Sequence, residues 1–340
     1  MTTQIIKGLS HTQANVLRFF SRLFSKKNNT DQLANVTKAI VIPLVALSIF
    51  LGLWSFGAGQ IKTSLGLVPG PVKVWEQALQ LVDEHQEERK KEKQFYERQE
   101  KRNASKLAKN PDAKIKIRKY TATPTYLDQI MTSIWTVLTG FIIASLIAIP
   151  VGIIAGLSPV IYAALNPLIQ IFKPVSPLAW LPIVMMIVSA VYVSDDPMFD
   201  KSYLNSAITV TLCCLWPTII NTTVGVTSID KDLINVSRVL QLGWFTKVFK
   251  IVIPSSIPMM FAGLRVSLGI GWMVLIAAEM LAQNPGLGKF VWDEFQNGSS
   301  DSLARIMVAV FTIGLIGFML DYLMLMLQKL LSWDKNAVIR

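Results

Sequence analysis

The sequence predicts an all-α membrane protein of about six transmembrane helices. Three observations carry this reading. The 340 residues are 52% apolar and only 16% charged, with a mean hydropathy of +0.44, a composition that soluble domains of this length rarely show. The apolar residues fall in long uncharged runs, as membrane spans require. Lys and Arg then sort by side. Fourteen fall in the termini and loops that six spans leave on one face, and three (Lys201, Lys289, Arg305) in the two short loops opposite. The positive face is the cytoplasmic one.

Taken in order, residues 1–38 carry Lys7, Arg18, Arg22, Lys26, Lys27 and Lys38 against the single acid Asp31. Val16, Leu17, Phe20, Leu23 and Phe24 follow helical spacing, which predicts a basic amphipathic helix on the cytoplasmic membrane surface. No small-residue cleavage site follows a short apolar run, so a cleaved signal peptide is not expected. Residues 39–57 are uncharged and form the first span, with Trp54 near its outer end.

Residues 58–125 are a long charged insertion on the outer side. Within it, 84–102 alternates Glu with Lys and Arg at i,i+3 and i,i+4 spacings, which supports a solvated helix. A basic strip, Lys114, Lys116, Arg118 and Lys119, follows. Long loops cross a membrane largely regardless of charge. The insertion reads either as a docking surface for a soluble binding protein or as a solvated addition. The second reading expects 83–119 to be dispensable for the spans.

Residues 129–157 are one long span, tilted or kinked at Pro150. After a break at 156–159, residues 160–172 form an apolar helix. Lys173 and Pro174 interrupt it, with Lys173 counted among the inner-face charges, and 176–193 completes the span. Four prolines between Pro167 and Pro182 predict a broken helix, tolerated at membrane depth only against protein or water. Asp195, Asp196 and Asp200 mark the outside. Residues 203–229 return to the cytoplasm, 258–281 cross outward with Arg265 and Glu279 inside, 284–305 form an outer loop, and 306–328 cross back with Asp321 toward the inner half. Residues 329–340 are a cytoplasmic tail.

The stretch 228–253 joins two spans on the inner face and is amphipathic and basic. Leu233, Val236 and Leu240 fall at i, i+3, i+7, one face of a short helix. Ser228 or Asp230 can cap its start, and Gly243 can end it. Phe245, Val248, Phe249 and Val252 repeat the pattern in a second short helix that Pro254 is expected to stop. Pro258 suits the first turn of the next helix. Such an elbow either lies in the lipid interface or offers its apolar face to a groove in a soluble partner.

This stretch resembles the cytoplasmic coupling loop of permease subunits from ATP-binding-cassette importers, with a Glu-Ala-Ala pattern, then Gly, then a hydrophobic residue and Pro. Here Asn235 stands at the acidic position, Ser237 at the second small position and Gln241 at the Gly position, while the spacing from Arg238 to Ile253 and Pro254 is kept. Gly263-Leu264-Arg265 and Ala277-Ala278-Glu279-Met280-Leu281 resemble the nitrate/sulfonate/bicarbonate branch. The stretches 174–182 (PVSPLAWLP) and 216–222 (WPTIINT) resemble its nitrate-type permeases in particular. The resemblance covers 126–328.

It implies a type I importer transmembrane domain in the bacterial inner membrane, with both termini cytoplasmic. It implies a second copy of the chain, two cytoplasmic ATPase subunits that carry the ATP and Mg, and an external or lipid-anchored binding protein that delivers nitrate or nitrite. Bicarbonate, cyanate, sulfonate or taurine are the alternatives within the branch. Asp232, Leu233, Val236, Arg238, Val239, Leu240 and Gly243 would form the contact to the ATPase.

Candidates for the path follow from residue chemistry. Arg265 is a charge inside a span, which is costly and typically faces a cavity or a partner. It reads as an anion-attracting charge, or as an arginine that snorkels or caps a broken helix. Glu279, 14 residues on, is about 21 Å up the same helix and cannot pair with it. An acid lines an anion path poorly, so Glu279 reads as an ion pair or cap at the outer gate. Ser176, Trp180, Trp216, Asn221, Thr222 and Thr223 offer hydroxyl, amide and indole groups able to hold an oxyanion weakly, or to pack helices together.

Other function classes lack their residues. No G-x-x-x-x-G-K-[ST] phosphate loop occurs. The cysteines, Cys213 and Cys214, are adjacent in an apolar run and read as small core residues, and His11 and His85 lie far apart, so neither catalysis nor a metal site is expected. The charge of +11 is spread over tails and loops, unlike a nucleic-acid patch. An ion-coupled secondary transporter would show internal repeats and intramembrane carboxylates. A scaffold would not need the broken, Pro-rich span.

Overall fold

The computed structural model describes residues 41–63, 66–109, 115, 117–193, 198–299 and 301–331. The expected amphipathic N-terminus and most of the tail lie outside these, as do Asp195 and Asp196. Two units, Met1–Pro71 and Val72–Arg340, divide the chain. The first contains α1 (Ile42–Ala58), a 17-residue apolar helix with Pro43 in its first turn, and a short hairpin of β1 (Lys62–Thr63) and β2 (Gly66–Leu67).

The second unit is helical among the described residues: α2 (Pro71–Lys109), α3 (Tyr126–Leu157), α4 (Pro159–Phe172), α5 (Pro177–Val191), α6 (Lys201–Thr227), α7 (Lys231–Val239), α8 (Trp244–Lys247), a π-turn (Val248–Val252), α9 (Ile253–Ala282), α10 (Leu287–Asn297) and α11 (Ser302–Leu331). Four helical stretches are long and apolar enough to cross a membrane: α3, α6, Trp244–Ala282 and α11. The pair α4 and α5, bent by 99° at 173–176, makes a fifth if counted as one span.

Packing fixes the directions. Call the end where α3 begins the upper end. A Cβ on Gly140 would lie 2.7 Å from the Ala207 carbonyl, one on Gly152 2.7 Å from Thr222 Cβ, and one on Gly156 2.5 Å from Val226 Cβ. Small residues recur every fourth position from Gly140 through Ala144, Ala148 and Gly152 to Gly156, so two backbones can approach closely, as helix packing in lipid favours. Thr211 donates to the Gly140 carbonyl at 3.1 Å and Thr223 to the Gly152 carbonyl at 3.2 Å. The sequence offset is the same in both, so α3 and α6 run parallel.

Two consecutive parallel spans need a return crossing. Residues 158–200 therefore carry the chain back, and the bent pair counts as one net crossing. α9 runs antiparallel to α6: Gly271 faces Cys214, Gly263 faces Asn221 and Gly225 faces Met259. Ser267 and Cys214 exchange hydrogen bonds, Ser267 Oγ to the Cys214 carbonyl at 2.8 Å and Cys214 Sγ to the Ser267 carbonyl at 3.3 Å. α11 is antiparallel to α9, with the Trp272 indole donating to the Ile313 carbonyl at 3.0 Å and Gln328 reaching Pro258.

One expectation needs correction. Pro254 does not stop a helix; the backbone stays helical from Trp244 to Ala282. Proline has no N–H to give the fourth carbonyl back. The preceding π-turn absorbs the mismatch, with Ile253 N donating five residues back to Val248. The insertion packs on the spans. α2 is about 58 Å long, and its first half packs onto the upper end, with Leu81 2% exposed and Val74 and Gln77 buried. Arg305 of α11 is bonded to Gln77 and Glu84 of α2 and to Glu294 of α10. Arg89 pairs with Asp128 at 2.8 Å and His85 Nδ1 meets the Thr125 hydroxyl at 2.6 Å. The apolar positions Val74 and Leu81 lie at i and i+7 of a helix that begins 13 residues before the charged run, which is why the charges alone hide the docked half.

Candidate functional site

At the lower end the chain turns through the elbow. Asp230 caps α7 by accepting from Asp232 N at 2.9 Å. Ile234 packs inward on a cluster of Ile153, Val226, Ile229, Val248 and Val252, and Ser237 is 3% exposed. This leaves the other face outward: Leu233, Val236, Val239 and Leu240 are exposed, with Asp232, Arg238 and Gly243 beside them. Trp244, Phe245 and Phe249 extend the exposed apolar surface, while Val248 and Val252 point into the core.

The helix does not end at Gly243, which instead precedes α8 with φ −60°. It ends at Gln241, whose φ of +48° is left-handed. Gln241 N donates to the Arg238 carbonyl and Leu242 N to the Ser237 carbonyl, both at 3.0 Å, the paired bonds of a Schellman turn. Glycine is the residue this turn favours, and Gln241 is the position at which the resembled loop carries Gly.

Halfway up, α4, α5 and α6 meet in an aromatic cluster. The Phe172 ring stacks on Trp216 (centroids 5.7 Å apart, 12° between planes) and also meets Trp180 at 5.7 Å. Trp180 and Trp216 are thus brought together through Phe172, a residue that sequence reasoning passed over. Ser176 is exposed at the start of α5 and accepts from Leu178 N at 3.3 Å. Asn221, Thr222 and Thr223 lie elsewhere on α6. Asn221 donates back to the Pro217 carbonyl at 2.8 Å and fills the seat of Gly263. Thr222 is buried against Gly152, and Thr223 donates across to α3.

Two intramembrane charges have partners within the chain. Arg265 forks onto Asp321 of α11, Nε to Oδ1 at 2.9 Å and Nη2 to Oδ2 at 2.8 Å. The carboxylate half of this pair went unrecognised because 56 residues separate it from Arg265. Glu279 is fully buried. Ser133 Oγ lies 2.8 Å from both of its carboxylate oxygens, and Gly288 N donates to it at 2.9 Å in the first turn of α10. Ser133 in turn accepts from Leu287 N at 2.8 Å. A Cβ on Gly286 would strike the Glu279 carboxylate. The acid therefore caps α10, where the helix dipole favours negative charge, and ties α3, α9 and α10 together at the upper end.

Above the spans, Tyr120 donates to Glu88 at 2.6 Å and holds that carboxyl below the ordinary carboxylate range. Among the described residues, no group of three or more His, Cys, Asp or Glu side chains could hold a metal ion.

Parallel and antiparallel apolar helices seated on small residues, with a broken span and an apolar elbow at one end, define a multi-pass helical membrane protein. Comparison with known proteins places it further. Residues 148–333 match the family model of the binding-protein-dependent transport system inner membrane component, and the chain belongs to that family. It is 37% identical over 204 residues to the nitrate import permease protein NrtB of Synechococcus elongatus, which covers 60% of this chain and 69% of that one. It is 35% identical to NrtB of Leptolyngbya laminosa (57% and 65% covered) and 36% identical to the bicarbonate transport system permease protein CmpB of Synechocystis sp. (60% and 68% covered). The match thus spans about two thirds of each relative. In fold the chain is similar to a chain of the MetNI methionine ABC transporter in an inward-facing conformation, with a TM-score of 0.53 at 11% identity, covering 61% of this chain and 96% of that one.

Proposed function

We propose that this chain is the membrane-spanning permease subunit of an ATP-driven importer of a small inorganic anion, with nitrate as the substrate. The observation that carries this is its kinship, at 35–37% identity, to permeases named for nitrate import. Two copies would enclose one path in the inner membrane, with both termini in the cytoplasm. A binding protein would deliver the anion at the upper end. Two ATPase subunits, holding ATP and Mg, would receive Leu233, Val236, Val239 and Leu240 in a groove at the lower end. The chain itself would do no covalent chemistry. Arg265, whose fork is committed to Asp321, would clamp α9 to α11, and Glu279 would fix the outer end. Bicarbonate is the second reading, because the identity to CmpB is 36%.

The test is uptake by the complex reconstituted with its ATPase and binding protein. Labelled nitrate should enter on ATP addition, and a tenfold excess of bicarbonate should compete weakly. Uptake of bicarbonate in preference to nitrate would exchange the two readings, and uptake of neither would end both.

A further inference from the structure

We propose that Lys173, with Asn166 and Gln170 below it, is the cation of the translocation path; this rests on the reading that the chain carries a small anion. The first ground is depth. Counted among the inner-face charges from sequence, Lys173 instead follows directly on Phe172, whose ring stacks on Trp216. Trp216 stands 11 residues from the lower end of α6 and 15 from its upper end, or about 16 Å and about 22 Å. With α6, about 40 Å long, centred in and normal to a hydrocarbon core of about 30 Å, the nearer boundary is about 11 Å from Trp216. A lysine side chain, five bonds of about 1.5 Å each, reaches roughly 6 Å, short of the interface at that depth.

The second ground is the face on which it sits. Asn166, Gln170 and Lys173 fall at i, i+4, i+7, one side of an otherwise apolar helix. Gln170 and Lys173 are exposed and Asn166 is half-buried, while Ile169 and Leu165 pack against α3 and α6. A lipid-facing stripe of two amides and an ammonium is not tolerated in hydrocarbon. Among the described residues no ion pair takes up Lys173. Arg265 is already neutralised by Asp321, so Lys173 is the intramembrane cation left to meet a mobile anion. A single ammonium with neutral amides binds weakly enough to release what it attracts.

The experiment uses the assembled complex with its ATPase and binding protein in liposomes. Per complex, Lys173→Gln should lower nitrate uptake at limiting nitrate by about tenfold or more, and Lys173→Arg should retain most of it. Independently, Lys173→Cys should react with a charged, membrane-impermeant thiol reagent, and nitrate should slow the reaction. The buried Cys213 and Cys214 serve as unreactive controls. Wild-type uptake per complex in Lys173→Gln would overturn the inference. So would a Lys173→Cys thiol that reacts only with lipid-soluble reagents, which decides the matter even if Lys173→Gln fails to assemble. If the wild-type complex carries neither nitrate nor bicarbonate, the substrate reading falls, and thiol accessibility alone decides whether water reaches Lys173.

Discussion

Replacing Arg265 with Gln leaves the Asp321 carboxylate without its partner between α9 and α11. The pair is bidentate, with both contacts under 3 Å, and the side chains are 24% and 51% exposed. With the carboxylate half exposed, the pair itself contributes about 1 kcal/mol or less. Removing the arginine also leaves an unpaired carboxylate inside a span, which is unfavourable there and adds to that loss. Arg265→Gln and Asp321→Asn should therefore each lower the fraction of complex that survives a fixed heat challenge. The double variant should recover part of the loss, with a coupling of about 1 kcal/mol in the cycle. Uptake per surviving complex should stay near wild type in all three. The reasoning is refuted if the double variant assembles normally yet takes up nitrate about tenfold more slowly per complex, because the arginine charge itself would then act on the anion.

At the elbow, Val236→Asp places a charge on the outward face of α7 and should uncouple binding-protein-stimulated ATP hydrolysis while insertion of the chain stays normal; unchanged stimulation would assign that face to lipid. Gln241→Gly should stabilise the complex by about 0.5–1 kcal/mol, because relief of a left-handed backbone, about 1–2 kcal/mol, exceeds the extra unfolded-state entropy of glycine, about 0.4–1 kcal/mol; a lower denaturation midpoint would contradict this. Leu81→Ala empties a site that is 2% exposed and should cost about 2–5 kcal/mol, read as loss of folded permease in detergent; an unchanged yield would show that the docked start of α2 adds nothing to the stability of the spans.

The four long spans, and the bent pair that makes a fifth, were legible because each is a long apolar run with few or no charges, whereas Ile42–Ala58 is a shorter apolar helix; the elbow was legible because its apolar spacing changes abruptly between two of them. Asp230 at the start of α7 was also readable, since a short acidic side chain before a periodic run is a capping signal. What the sequence hid was contact over distance. Nothing local marks Asp321 as the partner of Arg265, or Ser133 as the hydroxyl on Glu279 146 residues away. Pro254 misled because proline tolerates the first turn of a helix, and the π-turn before it leaves no hydrogen bond to break.

The parallel seating of α3 on α6 has a consequence for how the chain is made. The residues that join them, Gly140 with Thr211 and Gly152 with Thr223, are 71 positions apart. At about 5–20 residues per second, α3 waits roughly 4–14 s for its main partner, its glycine groove open to lipid throughout. The bent pair must insert and reverse the chain within that interval. An early-made helix with an unfilled groove is a docking place for whatever apolar segment arrives first. The glycine seats hold α6 close when it does arrive: a Cβ at Gly140 or Gly152 would lie 2.7 Å from its neighbour there.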